Sequence, residues 1–246
     1  ATYVEVAKLT ASDAAQWDRF GIPLAIDGGT IVVGAWDEDA GSSSGSAYVF
    51  RTSDGGVTYG QVAKLTASDA YSDDNFGISV AIDGDTVVVG AWKDDDTGSA
   101  YVFRASDGTQ LAKVTAADGA VGDEFGGSVA ISGDTIVIGA EDKDETAYGT
   151  HGAAYVYRTS DGGATYSQMD KLAGSDDNGS FGASVAIDGD TLKFGDEIEY
   201  MVPATQSSGV SNAMSTLSSQ NNEISIISDK LNIDMNERRS IFTGNA

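Results

Sequence analysis

One phrase of sixteen residues sets the architecture of this chain: FGISVAIDGDTVVVGA, residues 76–91. Two short β-branched runs, 79–82 and 86–89, flank Asp83-Gly84-Asp85, a composition typical of a tight hairpin turn. The phrase returns with its spacing unchanged: Phe-Gly begins at residues 20, 76, 125 and 181, and a glycine follows each Phe after 14 residues. The sequence therefore contains a repeat with a period of 49 to 56 residues.

Each repeat contains two further predicted strands. A Tyr-Val-Phe-Arg or Tyr-Val-Tyr-Arg phrase starts at residues 48, 101 and 155, a Ser-Asp-Gly turn follows it, and a Lys-Leu-Thr-like phrase lies in the fourth strand. Four strands in about 50 residues are typical of a β-propeller blade. One such sheet cannot cover both of its faces, so neighbouring blades must stack. The predicted fold class is all-β, a propeller-like array of about four four-stranded blades.

These repeats resemble the FG-GAP repeat family, whose best-known members form the propeller of integrin α subunits. The resemblance covers about residues 1–195 in four copies, each with the Phe-Gly landmark. The proline of the Gly-Ala-Pro landmark is absent, and Trp36, Trp92 and Glu141 stand in its place. The fourth copy departs further, since it reads Gly195-Asp196 and lacks the Tyr-Val-Phe strand. Residues 199–202 or a second chain are predicted to supply that strand, and residues 3–7 to form an additional strand at the start.

The charge of the chain excludes several classes of partner. Lys and Arg total 14 against 38 Asp and Glu, a formal net charge of −24. Such a surface repels phosphate backbones and anionic lipids, which argues against nucleic-acid binding, and no apolar run is long enough for membrane insertion. There is no cysteine and a single histidine, so thiol nucleophiles and multi-histidine metal centres are excluded. We therefore predict that the protein is not an enzyme and has no catalytic residues.

Acidic loops follow each Gly-Ala landmark. Their alternating carboxylates are those of Asp37, Asp39, Asp94, Asp96, Asp142 and Asp144. Such carboxylates can converge on Ca²⁺, which takes six to eight oxygen ligands, and the resemblance to integrin-type repeats implies calcium in blade loops. Calcium is therefore the expected cofactor, with a solvated acidic turn as the alternative. Trp36 and Trp92 lie beside these loops as candidate ligand-binding residues that could stack on sugar rings, unless they pack between blades.

The chain changes character after about residue 202. Residues 203–246 are rich in Ser and Asn and carry four acids and three bases, a net charge of −1, so the acidity belongs to the repeats. We divide the chain into a repeat domain, 1–202, and a tail, 203–246. A heptad spacing in the tail predicts an amphipathic helix over about 211–236 that serves self-association or caps the open end of the array. Its apolar seam comprises Val210, Met214, Leu217, Ile224 and Leu231.

The function that these observations favour is a non-enzymatic binding or adhesion module at the cell surface or outside the cell. It would present blade loops, stabilised by calcium, to a protein or glycan. One alternative is a structural subunit of an extracellular filament or surface layer, assembled through repeats and tail. The other is a hydrolase or lyase that acts on polysaccharide through carboxylates and tyrosines.

Overall fold

A computed structural model describes the chain in ten segments. They are residues 5–38, 43–146, 149–174, 180–189, 191–194, 198–201, 217–220, 223–226, 231–234 and 239–242. Apart from one 3₁₀ turn at Asp94–Asp96, the elements in these segments are β-strands. The predicted all-β class is confirmed. Within the same segments, no helix has the length and apolarity needed to cross a membrane.

The first three repeats form four-stranded antiparallel sheets, here called blades 1, 2 and 3. Blade 1 comprises β1 (Leu24–Asp27), β2 (Thr30–Ala35), β3 (Ser46–Arg51) and β4 (Gly60–Leu65). Blade 2 comprises β5 (Ser79–Asp83), β6 (Thr86–Ala91), β7 (Ser99–Arg104) and β8 (Gln110–Val114). Blade 3 comprises β9 (Phe125–Ser132), β10 (Thr135–Ala140), β13 (Ala153–Arg158) and β14 (Ser167–Ala173), with a small hairpin of β11 (Asp144–Thr146) and β12 (Gly149–Thr150) between its middle strands.

The fourth repeat forms a three-stranded sheet, blade 4. It contains β15 (Val185–Asp188), β16 (Thr191–Phe194) and β17 (Ile198–Met201). Strand β17 pairs with β16 in the place that Tyr-Val-Phe strands take in the other blades, with Tyr200 opposite Leu192. The prediction that residues 199–202 substitute for the missing strand is confirmed for residues 199–201. The predicted strand over residues 3–7 is wrong for residues 5–7, which lie outside any strand, while residues 3 and 4 are outside the described segments.

The predicted helix over 211–236 is wrong wherever the tail is described. The tail contains a separate four-stranded sheet: β18 (Leu217–Gln220), β19 (Glu223–Ile226), β20 (Leu231–Asp234) and β21 (Arg239–Phe242). Leu217, Ile224 and Leu231 lie in these strands, whereas Val210 and Met214 are outside the described segments. The reason is local, because Ile224-Ser225-Ile226 and Leu231-Asn232-Ile233 alternate with a period of two, and Ser, Asn and Ile are weak helix formers.

The blades stack through their apolar faces. One cluster of buried side chains joins blades 1 and 2, a second joins blades 2 and 3, and a third joins blades 3 and 4. The middle strands are buried on both sides, as in Val87, Val88 and Val89, none of which is exposed. Continuous apolar runs are what a strand covered on both faces requires.

The Phe-Gly and Gly-Ala landmarks meet between adjacent blades. Gly126, with a φ of +95°, presents its carbonyl oxygen to Gly90 of the preceding blade, where a Cβ would collide with it. The Ser79 hydroxyl donates a hydrogen bond to the same oxygen at 2.7 Å. Phe76 fills the core beside this contact, edge-on to Tyr101 and Phe103 with ring centroids 5.5 and 5.7 Å away. The repeated phrase therefore encodes the interface between blades as well as the hairpin.

Candidate functional site

A lysine in the fourth strand of each complete blade ties the blade to the loop that precedes it. In blade 2, Lys113 lies 2.7 Å from Asp69 and 2.7 Å from Asp94, and its Nζ stands 5.4 Å from the centre of the Tyr101 ring. Burial opposes the charge on Lys113, but hydrogen bonds to Asp69 and Asp94 outweigh it and raise the lysine pKa. The Tyr101 hydroxyl donates to Asp69 at 2.9 Å. The Lys–Asp contact joins the fourth strand of each blade to a loop that lies 44 to 53 residues earlier in the chain.

The other two blades have the same tie. Lys64 bonds Asp13 at 2.8 Å and the buried Glu38 at 2.6 Å in blade 1. Lys171 bonds Asp118 at 2.5 Å in blade 3. The Lys-Leu-Thr phrase predicted a fourth strand but not this role of its lysine. The recurring Asp three residues after each Thr of that phrase was the available signal.

Two of the predicted calcium ligands are engaged by basic or hydroxyl side chains. Asp94 is 3% exposed and accepts a hydrogen bond from Ser99 at 2.5 Å besides its contact with Lys113. Asp37 accepts from the Ser43 hydroxyl at 2.7 Å and from Arg19 at 3.2 Å, and these contacts lower its pKa.

The remaining predicted ligands are placed differently. Asp96 and Asp142 are exposed, Asp39 is outside the described segments, and the side chain of Asp144 is not described. Among the side chains that the structure does describe, no three His, Cys, Asp or Glu residues are arranged to hold a metal ion. Calcium binding by these loops stays a prediction.

A cavity of about 250 Å³ lies where blades 2, 3 and 4 meet. Its lining comprises Ile78, Trp92, Glu124, Gly127, Glu141, Gly182 and Ala183. Trp92 and Glu141 each follow a Gly-Ala landmark, and Glu124 precedes the Phe of the next Phe-Gly, so the repeat itself gathers them at one end of the stacked blades. The cavity thus places the predicted ligand-binding residue Trp92 beside two glutamates from the next blade.

Glu124 is the electrostatically unusual residue of this cavity. Burial, together with the negative charges of Asp142 and Glu141, raises the pKa of Glu124 to about 7, and Lys93 opposes the shift. Its backbone has a positive φ of 58°. A carboxylate near acidic neighbours is stabilised by any positive group that enters the cavity.

Equivalent positions in blades 1 and 2 carry their own neutralising groups. In blade 1, Arg19 lies 4.6 Å from the ring centre of Trp36 and forms an ion pair with Asp37 at 3.2 Å. In blade 2, Asn75 accepts a hydrogen bond from the Trp92 indole N–H at 2.9 Å, and the exposed Lys93 lies 5.2 Å from the Trp92 ring centre. The predicted ligand-binding residue Trp36 is therefore covered by Arg19 on one side, whereas Trp92 also borders a cavity.

Blade 3 reverses the charges seen in blades 1 and 2. Glu124 and Glu141 stand where blade 1 has Arg19 and Trp36, and Lys143 stands where blade 2 has Asp94. Lys143 is buried and pairs with Asp123 at 2.8 Å. The acids before the Phe-Gly landmark have a structural use as well, since Asp123 accepts the Ala120 N–H at 2.6 Å. The sequence alone could not single out Glu124, because acidic residues also precede other Phe-Gly landmarks.

Three comparisons with known proteins bear on this chain. The crystal structure of the computationally designed Ika4 protein is 15% identical, with a TM-score of 0.51, and the alignment covers 82% of this chain and 100% of that one. That likeness concerns the fold alone. The designed Ika8 protein is 14% identical (TM-score 0.44; 86% of this chain, 54% of that one), and a europium-containing methanol dehydrogenase is 13% identical (TM-score 0.40; 64% and 26%).

No curated protein matches the sequence significantly. The FG-GAP repeat, in contrast, matches residues 3–50, 59–103 and 109–157, more than half of the chain, and each match contains the Phe-Gly landmark of one complete blade and extends into its third strand. FG-GAP repeats are typical of extracellular or surface proteins. The repeated landmarks, the stacked four-stranded blades and this match show together that the chain belongs to the FG-GAP repeat family.

Proposed function

We propose that this protein is a non-enzymatic extracellular binding module and that its ligand is a protein which inserts a basic side chain into the cavity at Trp92. The observation that carries the proposal is the cavity itself. It joins an indole ring from blade 2 with two glutamates from blade 3, and blade 4 supplies its far wall through Gly182 and Ala183.

The chemistry of the cavity suits a Lys or Arg side chain. The face of an indole attracts a cation, and carboxylates accept the hydrogen bonds of an ammonium or guanidinium group. Lys93 supplies one positive charge at the edge, which leaves the group of Glu124, Glu141 and Asp142 net negative. A volume of about 250 Å³ is smaller than the 300–1,000 Å³ of most small-molecule pockets, which favours one inserted side chain over a whole cofactor.

The net charge of the chain supports the same class of partner. A formal charge of −24 attracts basic proteins from a distance and accelerates their association at low salt. Because the acidity resides in the repeats, the blade loops and not the tail would meet such a partner first. Binding should therefore weaken as the ionic strength rises.

A glycan is the second candidate ligand, and Trp92 is the observation that favours it. Its indole is only partly buried, and an exposed indole face can stack on a sugar ring while Glu124 and Glu141 accept hydrogen bonds from hydroxyl groups. A neutral glycan differs from a basic peptide in one measurable respect. Its binding would depend weakly on salt.

The test is calorimetric titration with Lys- and Arg-containing peptides, with the same peptides acetylated or citrullinated, and with neutral oligosaccharides. We expect Trp92→Ala and Glu124→Gln each to weaken binding of the basic peptides about tenfold or more, equivalent to about 1.4 kcal/mol. The matched control is Trp36→Ala, which removes an indole from the equivalent position of blade 1.

Three results would overturn the proposal. One is equal affinity for basic and neutralised peptides, and a second is equal loss of affinity in Trp36→Ala and Trp92→Ala. The third is turnover of a polysaccharide that Glu124→Gln abolishes, which would make the cavity an active site.

A further inference from the structure

Blade 1 leaves an apolar surface uncovered, here called the open face, formed by Ile22, Leu24 and Ile26. These side chains are 63%, 62% and 59% exposed. Strand β1 holds the last two of them. Three adjacent aliphatic side chains exposed to this extent form a patch that soluble proteins usually cover.

The open face continues an interface that the structure shows three times. The blade 2 residue that corresponds to Leu24 is Val80, and it is only 8% exposed because β5 packs against blade 1. In blade 3 the corresponding residue is Val129, 9% exposed against blade 2, and in blade 4 it is Val185, 9% exposed against blade 3. Leu24 therefore belongs to the same type of contact surface, without the sheet that covers its counterparts.

At the opposite end of the array, the described side chains of blade 4 do not form such a surface. The position that is Val32, Val88 and Val137 in blades 1 to 3 is fully buried in each, and it is Lys193 in blade 4. Lys193 is exposed, and so is Ala186 beside it on the neighbouring strand. A terminal repeat with a polar outer face is the usual way in which a repeat array ends. Blade 4 is therefore a poor partner for a further apolar sheet.

The sheet of the tail has one apolar face. The pairings Leu217 with Ile226, Ile224 with Ile233, and Leu231 with Phe242 place these residues on one side of the sheet, because directly opposed residues share a face. Ser219 and Ser240 are on the same side. The other side carries Ser218, Gln220, Glu223, Ser225, Asn232, Asp234, Arg239 and Ile241. An antiparallel sheet of this pattern covers one face with protein and leaves the other in water.

We infer that the apolar face of the tail sheet packs on the open face of blade 1 in the same chain. The two surfaces are each other's complement: one is a blade surface without a covering sheet, and the other is a one-sided sheet. Charge does not oppose the contact, because the tail has a net charge of only −1 while the repeats have −23. A nearly neutral cover fits an acidic array better than a second acidic array would.

The length of the connection permits this contact within one chain. Residues 202–216 separate β17 from β18, and 15 residues span at most about 50 Å when extended. Four sheets about 10 Å apart would extend over about 40 Å even if they were stacked in a straight line. A tethered partner within reach has an effective concentration in the millimolar range, which favours the same chain over a second copy.

The test is photo-crosslinking of the full chain with benzoylphenylalanine at position 24. We expect crosslinks to peptides from residues 217–242, found in the monomer band on a denaturing gel. The matched control places the probe at Val121, an exposed aliphatic residue away from β1, and should give no crosslink to the tail. Crosslinks to the tail that occur only in the dimer band would overturn docking within one chain in favour of exchange between two copies, and their absence would overturn the contact altogether.

Hydrogen exchange provides an independent measurement. Ile233→Asp places a charge on the apolar face of the tail sheet, whereas Asn232→Asp places it on the polar face. We expect the amides of Leu24–Asp27 to exchange about tenfold faster in Ile233→Asp and within twofold of the parent in Asn232→Asp, while β10 of blade 3 is unchanged in both. Equal protection of Leu24–Asp27 in all three proteins would contradict the inference even if the tail had unfolded.

Discussion

Glycine is required at Gly90 by the close approach of two backbones. A Cβ at this position would meet the carbonyl oxygen of Gly126 and the hydroxyl of Ser79, which are themselves joined by a hydrogen bond. The Ser79 hydroxyl can rotate away, but the Gly126 carbonyl cannot retreat without moving β9. The same arrangement recurs at Gly139 and Gly182, so the landmark glycines of the family mark contacts between blades.

We therefore expect Gly90→Ala to lower the free energy of unfolding by about 2–3 kcal/mol, because added atoms at a packed backbone contact force the blades apart. Gly60→Ala is the control, since nothing lies within 4 Å of a Cβ at Gly60 and its φ is not positive. Urea denaturation followed by tryptophan fluorescence measures both. Equal midpoints for the two variants would show that the blades are not held in this contact.

Glu124 connects the stability of the protein to pH. Its pKa is raised to about 7 in the folded protein by burial and by the charges of Asp142 and Glu141, whereas the usual glutamate value is about 4.5. The folded state then binds more protons than the unfolded state between pH 4.5 and 7, so stability falls as the pH rises through that range.

We expect Glu124→Gln to raise the free energy of unfolding by about 1 kcal/mol at pH 8, after allowance for solvent screening, and to change it little at pH 4.5. Thermal melts of the parent and the variant from pH 4.5 to 8 give the difference. A difference that is constant across this range would contradict a raised pKa. The same ionisation should strengthen binding of a basic peptide between pH 6 and 8.

At the scale of elements, lysine ties hold the outer strand of each blade to the loop before it. Strand β8 is an edge strand of blade 2, and Lys113 joins it to Asp69 and to the 3₁₀ turn at Asp94. Asp94 is almost completely buried, so the loss of Lys113 would leave a buried carboxylate without its ion-pair partner.

We expect Lys113→Met to lower the free energy of unfolding by about 2 kcal/mol. The methionine keeps much of the aliphatic contact with Tyr101 and removes the charge. Arg104→Met is the matched control, since Arg104 pairs with Asp107 at 3.1 Å on the surface and the loss should be below about 0.5 kcal/mol. Denaturation midpoints at pH 7 compare the two, and equal losses would contradict the buried tie.

At the scale of the whole molecule, the dominant property is negative charge. A net charge of −24 destabilises a compact state by self-repulsion, and divalent cations relieve it. Among the predicted calcium loops, the loop of Asp142 lies close enough to Glu124 for Asp142 and Glu141 to raise the pKa of Glu124, whereas Asp37 and Asp94 pair with bases.

We expect calcium to raise the melting temperature more than magnesium does at equal ionic strength, because calcium accepts the irregular oxygen geometry of a loop. Asp142→Asn should remove most of the difference. Differential scanning calorimetry provides the measurement, and Asp107→Asn, an acid outside the loops, is the control. Identical melting temperatures in the two salts would contradict calcium binding by these loops.

Local sequence signals were enough to predict the blade and its number of copies. A strand that is covered on both faces appears in the sequence as a run of valine and isoleucine, and the turn after it appears as Asp-Gly. The hairpin at 79–89 could therefore be predicted residue by residue. The same local signals predicted β17, because Tyr200 and Met201 follow the fourth hairpin at strand spacing. The helix prediction for the tail failed for a local reason too. Its leucines and isoleucines recur three and four residues apart, as in a helix, but they also alternate with Ser and Asn, which fits the two-residue period of a strand.

Which charged residues share a site depends, in contrast, on how the blades stack. Glu124 and Trp92 are 32 residues apart in the chain and belong to different blades, and they meet because blades stack at a fixed register. In a repeat, every copy presents similar carboxylates, so composition cannot separate Asp94, which a lysine neutralises, from Glu124, which has acidic neighbours. Packing determines how deeply each carboxylate is buried and which groups contact it. Burial and contacts together set its charge and its chemistry.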